Sequence, residues 1–177
     1  TEGGIDQKEE RPKVKTFTIA LGLKELQENI NIITNNTSKT SKEGIINQAF
    51  KFHSQGNIQE AAKYYQYCIN QGFKDHRVFS NYGIIMRDFG KLKEAEIFFK
   101  KAIHFDKNNS NSSNNYRNLG SIYIHLDQLE KAKIETNKAI KVNPNCEKAL
   151  NNLGLIHKFS REINEAEFFF KKAIKLK

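Results

Sequence analysis

Apolar and polar residues recur along most of this chain with the spacing of helices. Counted from Lys42, His76, Ser113 and Glu147, four segments carry apolar or small residues at positions 4, 7, 8 and 11. In order these are Ile45, Gln48, Ala49 and Phe52; Phe79, Tyr82, Gly83 and Met86; Tyr116, Leu119, Gly120 and Tyr123; and Leu150, Leu153, Gly154 and His157. A second stripe follows at positions 17, 20, 24, 27 and 28. At about 100° per residue each stripe falls on one face of a helix. The pattern predicts two helices per segment, with turns near Gly56, Gly90, Asp127 and Arg161.

The segments are copies of one another. Residues 94–103 read EAEIFFKKAI and residues 165–174 read EAEFFFKKAI, nine of ten identical and 71 residues apart. Ala49 and Gly83 are 34 residues apart, as are Gly120 and Gly154, whereas Gly83 and Gly120 are 37 apart. The three extra residues fall at Ser110, Asn111 and Ser112, inside a polar run. A period near 34 with two striped helices per period marks a solenoid of helical hairpins. Position 20 is Ala61, Ala95, Ala132 and Ala166, and position 27 is Cys68, Ala102, Ala139 and Ala173. Small residues there let helix backbones approach, and larger ones at 4, 11 and 24 fill the space between hairpins. Thr136 is a smaller filler at position 24, so the third repeat is expected to be less tightly packed.

These residues resemble the tetratricopeptide repeats. Asn118-Leu119-Gly120, Asn152-Leu153-Gly154 and the NYG at Asn81 match the family's first-helix signature. Glu60-Ala61, Glu94-Ala95, Glu165-Ala166 and the VNPN from Val142 match its later positions. The match covers repeats 42–75, 76–109, 113–146 and 147–177, the last incomplete; Phe73 and Lys107 stand where the family often has Pro. The resemblance implies an all-α, right-handed solenoid of tandem antiparallel helix hairpins. It also implies a non-catalytic protein-interaction module whose first helices line a concave groove. The family's two-carboxylate clamp is not matched, because Ile46 and Phe50 occupy its Lys and Asn places.

Both ends look unfinished. The last repeat stops inside its second helix, leaving Phe168, Phe169, Phe170 and Ile174 on an uncovered face. Either the array continues, or a partner covers that face, self-association being one route. Residues 1–41 are expected to be a flexible leader and linker, with a short strand at 14–21 and a helical turn at 24–30, ending in the capping box Thr40-Ser41-Lys42-Glu43. The leader resembles that of some bacterial tetratricopeptide proteins in which the repeats precede a transferase region. An alternative reading is therefore a substrate-presenting N-terminal part of a larger sulfotransferase- or glycosyltransferase-type enzyme.

Charge narrows the choice of partner. The chain carries 29 Lys and Arg against 20 Asp and Glu, for a net charge of +9. Residues 1–41 are neutral, so the excess belongs to the repeats. The Lys residues are spread around helix surfaces and not interleaved with exposed aromatics, which disfavours nucleic acid. No apolar run is long enough to span a membrane and no secretory leader is visible, and two cysteines make no disulfide framework; a cytoplasmic location is expected. His53, His76, His104, His125 and His157 show no metal-ligand spacing, and no phosphate loop or nucleophile elbow occurs, so neither cofactor, metal nor catalytic residues are assigned. Candidate binding residues come from the groove face. Position 6 is Asn47, Asn81, Asn118 and Asn152, a ladder of amides suited to an extended peptide backbone. Arg77, Arg87, Arg117, Lys148 and Lys158 lie beside it against Glu43 and Asp88, so the expected ligand is an acidic peptide.

Overall fold

The computed structural model describes residues 42–106 and 112–176. Among them are eight α-helices and no strand: α1 Lys42–Ser54, α2 Ile58–Asn70, α3 His76–Asp88, α4 Leu92–Phe105, α5 Ser112–His125, α6 Leu129–Val142, α7 Glu147–Phe159 and α8 Ile163–Ile174. They pair as four hairpins, and each second helix adjoins the first helix of the next hairpin. The leader, its strand and helical turn, the Thr40 and Ser41 of its capping box, and the residues of its transferase-type resemblance lie outside the described residues.

The hairpin turns share one backbone device. Gly56, Gly90, Asp127 and Arg161 all have positive φ, at 75°, 74°, 56° and 63°. The amide after each donates back across the helix end: Asn57 to Phe52, Lys91 to Met86, Gln128 to Tyr123 and Glu162 to His157, at 2.8–2.9 Å. This is the six-residue bond that closes a helix C-terminus on a left-handed residue. Glycine adopts that conformation freely, and Asp127 and Arg161 adopt it at some steric cost. The third hairpin begins earlier than its sequence register suggests. Ser112, expected in the three-residue insertion, is the buried first residue of α5, and its hydroxyl donates to Asp106 at 3.1 Å.

The seam inside each hairpin is set by position 8 against position 24. Gly83, Gly120 and Gly154 face Phe99, Thr136 and Phe170. A Cβ built on Gly83 would lie 3.0 Å from the Phe99 ring, and one on Gly154 would lie 2.5 Å from Phe170. At Gly120 it would lie 2.3 Å from the Thr136 hydroxyl oxygen and 3.4 Å from the Ala132 carbonyl. The third hairpin is therefore not looser, as the small Thr136 suggested. Its helices close down on the threonine, which is fully buried. Tyr65 and Phe99 are likewise fully buried, and truncating such a ring costs about 3–5 kcal/mol. Hydroxyls then tie repeat to repeat: Tyr82 donates to Gln66 at 2.7 Å and Tyr123 to Glu96 at 2.8 Å.

Candidate functional site

Helices α3, α5 and α7 adjoin one another, and α1 is linked to α3 through side chains. Together their outer positions make the face on which the candidate residues were expected. The four position-6 asparagines do not share one environment there. Asn47 is exposed and Asn81 half-buried. Asn81 shares with Phe50, His53, Ser54 and Tyr65 the lining of a cavity of about 260 Å³. In it, His53 Nδ1 lies 3.2 Å from the Tyr65 hydroxyl. Burial lowers the His53 pKa, with the Asp88 charge acting against it.

Asn118 and Asn152 correct the idea of a ladder standing clear of the core. They are 1% and 8% exposed. The Asn118 Oδ1 accepts from Arg87 Nη1 at 3.0 Å, and Asn152 Nδ2 donates to the Arg117 carbonyl at 3.1 Å. Ser80 donates to the buried Asn115 in the same manner, at 2.7 Å. These amides tie neighbouring first helices together. The Nδ2 groups of Asn115 and Asn118 are buried and have no hydrogen-bond partner among the described residues.

The cations also divide. Arg77 is saturated. It donates to both Asp75 oxygens at 2.7–3.2 Å and forks onto Glu43 at 2.9 and 3.1 Å, over the Phe50 ring. Arg87 is held by Asp88 at 2.7 and 2.9 Å as well as by Asn118. Arg117 has no such counter-charge among the described residues. It is half-buried, and its Nε has no partner. Burial lowers its pKa; the neighbouring Cys146 acts against this, and the charge of Arg87 adds to it. Lys148 and Lys158 are exposed and make no ion pair among the described residues. The uncommitted positive charge thus sits on the third and fourth hairpins, not along the whole face.

Between these polar rows runs a line that the sequence reading passed over. Position 9 holds Phe50, Ile84, Ser121 and Leu155, all partly buried. Three apolar residues at a nominally outward position were the available signal. The face thus joins an apolar strip to donor groups, the combination that holds extended peptides. Among the described residues, no three His, Cys, Asp or Glu side chains are grouped to hold a metal ion. No described helix is long and apolar enough to cross a membrane.

Comparison with known proteins adds the following. The family model for the tetratricopeptide repeat matches residues 114–146 and 147–177. The photosystem I assembly protein Ycf3 of Synechococcus sp. (strain CC9605) is 29% identical over 89 residues, covering 50% of this chain and 51% of that protein. The match therefore spans only about half of that curated relative. Among solved structures, MamA superposes with a TM-score of 0.70 at 16% identity, over 90% of this chain and 96% of that one. YrrB, described as a TPR protein with an unusual peptide-binding site, superposes with a TM-score of 0.67 at 14% identity, over 86% and 82%. At these identities the two structures show a shared fold.

Proposed function

Since this chain belongs to the tetratricopeptide-repeat family and has the fold of an interaction scaffold, we propose that it is a non-catalytic module holding an extended acidic peptide across α1, α3, α5 and α7. The observation that carries the acidic preference is Arg117. A guanidinium half-removed from water, beside another cation and without a carboxylate, is stabilised by an incoming anion. A hydrogen bond to such a charged group is worth about 1.5–3 kcal/mol. Lys148 and Lys158 add longer-range attraction from the neighbouring fourth hairpin. The position-9 strip supplies apolar contact for alternate side chains of the peptide.

The test is fluorescence anisotropy with a labelled poly-Glu peptide and a poly-Gln control. The parent protein is expected to prefer the acidic peptide. Arg117→Met should remove most of that preference, because it deletes the charge while keeping much of the side chain's length and bulk. Equal binding of both peptides by the parent protein would defeat the reading. Two further parts of the proposal rest on separate observations. Ile163, Phe168 and Ile174 are 62%, 60% and 72% exposed on the last hairpin, which supports self-association through that face. Cys68 and Cys146 are both free thiols, which supports a reducing, cytoplasmic setting.

A further inference from the structure

A larger cavity lies away from the first-helix face. It has a volume of about 490 Å³ and opens between the C-terminal ends of α2 and α4. Ile69, Phe73, Phe79 and Phe105 form its apolar walls. Phe79 and Phe105 stack with ring centroids 5.3 Å apart, which gives one wall a flat aromatic surface. Phe73 occupies the place where the repeat family often has Pro, and it follows Gly72 at a φ of 72°. The turn between the first two hairpins therefore contributes a ring to the cavity instead of a compact proline.

The rim is cationic. Lys74, Lys100, Lys101 and His104 surround the opening. Lys100 is paired with Glu96 at 2.6 Å. The nearby carboxylates are engaged elsewhere: Asp75 by Arg77, and Asp106 by Ser112. Lys74 and Lys101 are exposed and pair with no carboxylate among the described residues. The Lys101 ammonium stands 5.7 Å from the Phe79 ring centroid and 5.9 Å from that of Phe98. It is thus held at the mouth by the same ring that lines the interior.

An apolar interior with a positive rim selects for a ligand of matching chemistry. We propose that this cavity is a second docking site, taking one bulky apolar side chain of a partner protein from a segment whose flanking residues are acidic. Its volume falls in the range of pre-formed ligand pockets, roughly 300–1,000 Å³. One buried aromatic anchor inside a more polar rim is also the usual anatomy of an interface hot spot. Burial of the anchor supplies affinity, and the lysines supply orientation and exclude basic segments. The inference stands on the chain's role as an interaction module and not on the acidic peptide across the first helices. A partner able to reach both surfaces would be bound at two points at once.

The experiment is an amide-shift titration of the isotope-labelled full chain with the peptide DEFED and its counterpart DEAED. DEFED is expected to move the amides of Gly72, Phe73, Lys101 and Phe105, and DEAED is expected to leave them in place. The variant Lys74→Glu with Lys101→Glu should weaken DEFED by about tenfold or more at low salt, with the loss shrinking as salt rises. Lys74→Glu alone should give a smaller loss and keeps the test independent of the Lys101 ring contacts. Arg117→Met should leave the cavity shifts unchanged, which separates this site from the first-helix face. Equal shifts from DEFED and DEAED, no shifts at the cavity, or no effect of either lysine variant would overturn the proposal.

Discussion

Replacing Gly120 with Ala sets a local preference against a packing constraint. In a helix interior, Ala is favoured over Gly by about 1 kcal/mol. Here, however, the added Cβ would sit 2.3 Å from the Thr136 hydroxyl oxygen and 3.4 Å from the Ala132 carbonyl of the facing helix. The carbonyl is at ordinary contact distance, so the clash is with Thr136, whose buried, β-branched side chain has little freedom to rotate away, and α5 and α6 are pushed apart. Overpacking of this kind costs about 1–3 kcal/mol. The net expectation is a destabilisation of about 1 kcal/mol, with the hairpin opened. Thr136→Ala provides the control. It removes a buried hydroxyl with no partner, worth about 1–3 kcal/mol, and loses one buried methyl, worth about 0.8 kcal/mol. On its own it should be neutral or stabilising. Combined with Gly120→Ala it should return stability to at least the parent level, giving a coupling of about 1 kcal/mol or more in a double-mutant cycle. The assay is urea denaturation followed by far-UV circular dichroism. Stabilisation by Gly120→Ala alone, or strict additivity of the pair, would refute the reasoning. Gly154→Ala should cost less, because Phe170 is only partly buried and can swing outward.

Three other outcomes follow from the structure. Cys68 is fully buried, and burial pushes its thiol pKa up to about 12, whereas Cys146 is partly exposed; a thiol reagent on the native chain should label Cys146 and reach Cys68 only on unfolding. Asp75 caps α3 by accepting from the Arg77 amide at 2.8 Å, so Asp75→Ala should cost about 0.5–2 kcal/mol in urea denaturation. Burial raises the Asp75 pKa, but the hydrogen bonds and charge of Arg77 outweigh it and leave the value below the ordinary one of 3.8. A depressed carboxylate pKa gives stability that is present above the unfolded value and lost as pH falls through the folded one. Thermal melts should therefore show the stability advantage of the parent over Asp75→Asn fading below about pH 4.

The sequence exposed the fold because the fold is repetitive. One helical stripe is ambiguous, but four copies in register place every turn, including Asp127 and Arg161 where glycine is absent. Size complementarity between positions 8 and 24 was also visible, yet its meaning at Thr136 was reversed. A small filler can leave a gap or let helices close, and only the distance between backbones decides. The candidate face was less legible for a related reason. A helical wheel places position 6 outward from its own hairpin, but says nothing of the preceding hairpin, whose Arg87 and Arg117 meet Asn118 and Asn152. Likewise the partner that saturates Arg77, Glu43, lies 34 residues away, one full repeat, beyond any local pattern. The cavity beside Phe73 needed both a turn geometry and two helix ends that the sequence does not bring together.

The central claim is that uncommitted charge on the third hairpin, and not total charge, selects the ligand. Arg77 and Arg117 give the cleanest comparison, since both lie on first helices and only Arg77 is saturated by carboxylates. The decisive measurement is the affinity of one acidic peptide for the parent, Arg77→Met and Arg117→Met, at low and high salt. Arg117→Met should lose about tenfold or more at low salt, in line with about 1.5–3 kcal/mol for a hydrogen bond to a charged group. Arg77→Met should bind like the parent and show its effect only in stability. Equal losses in both variants, or a larger loss in Arg77→Met, would contradict the account.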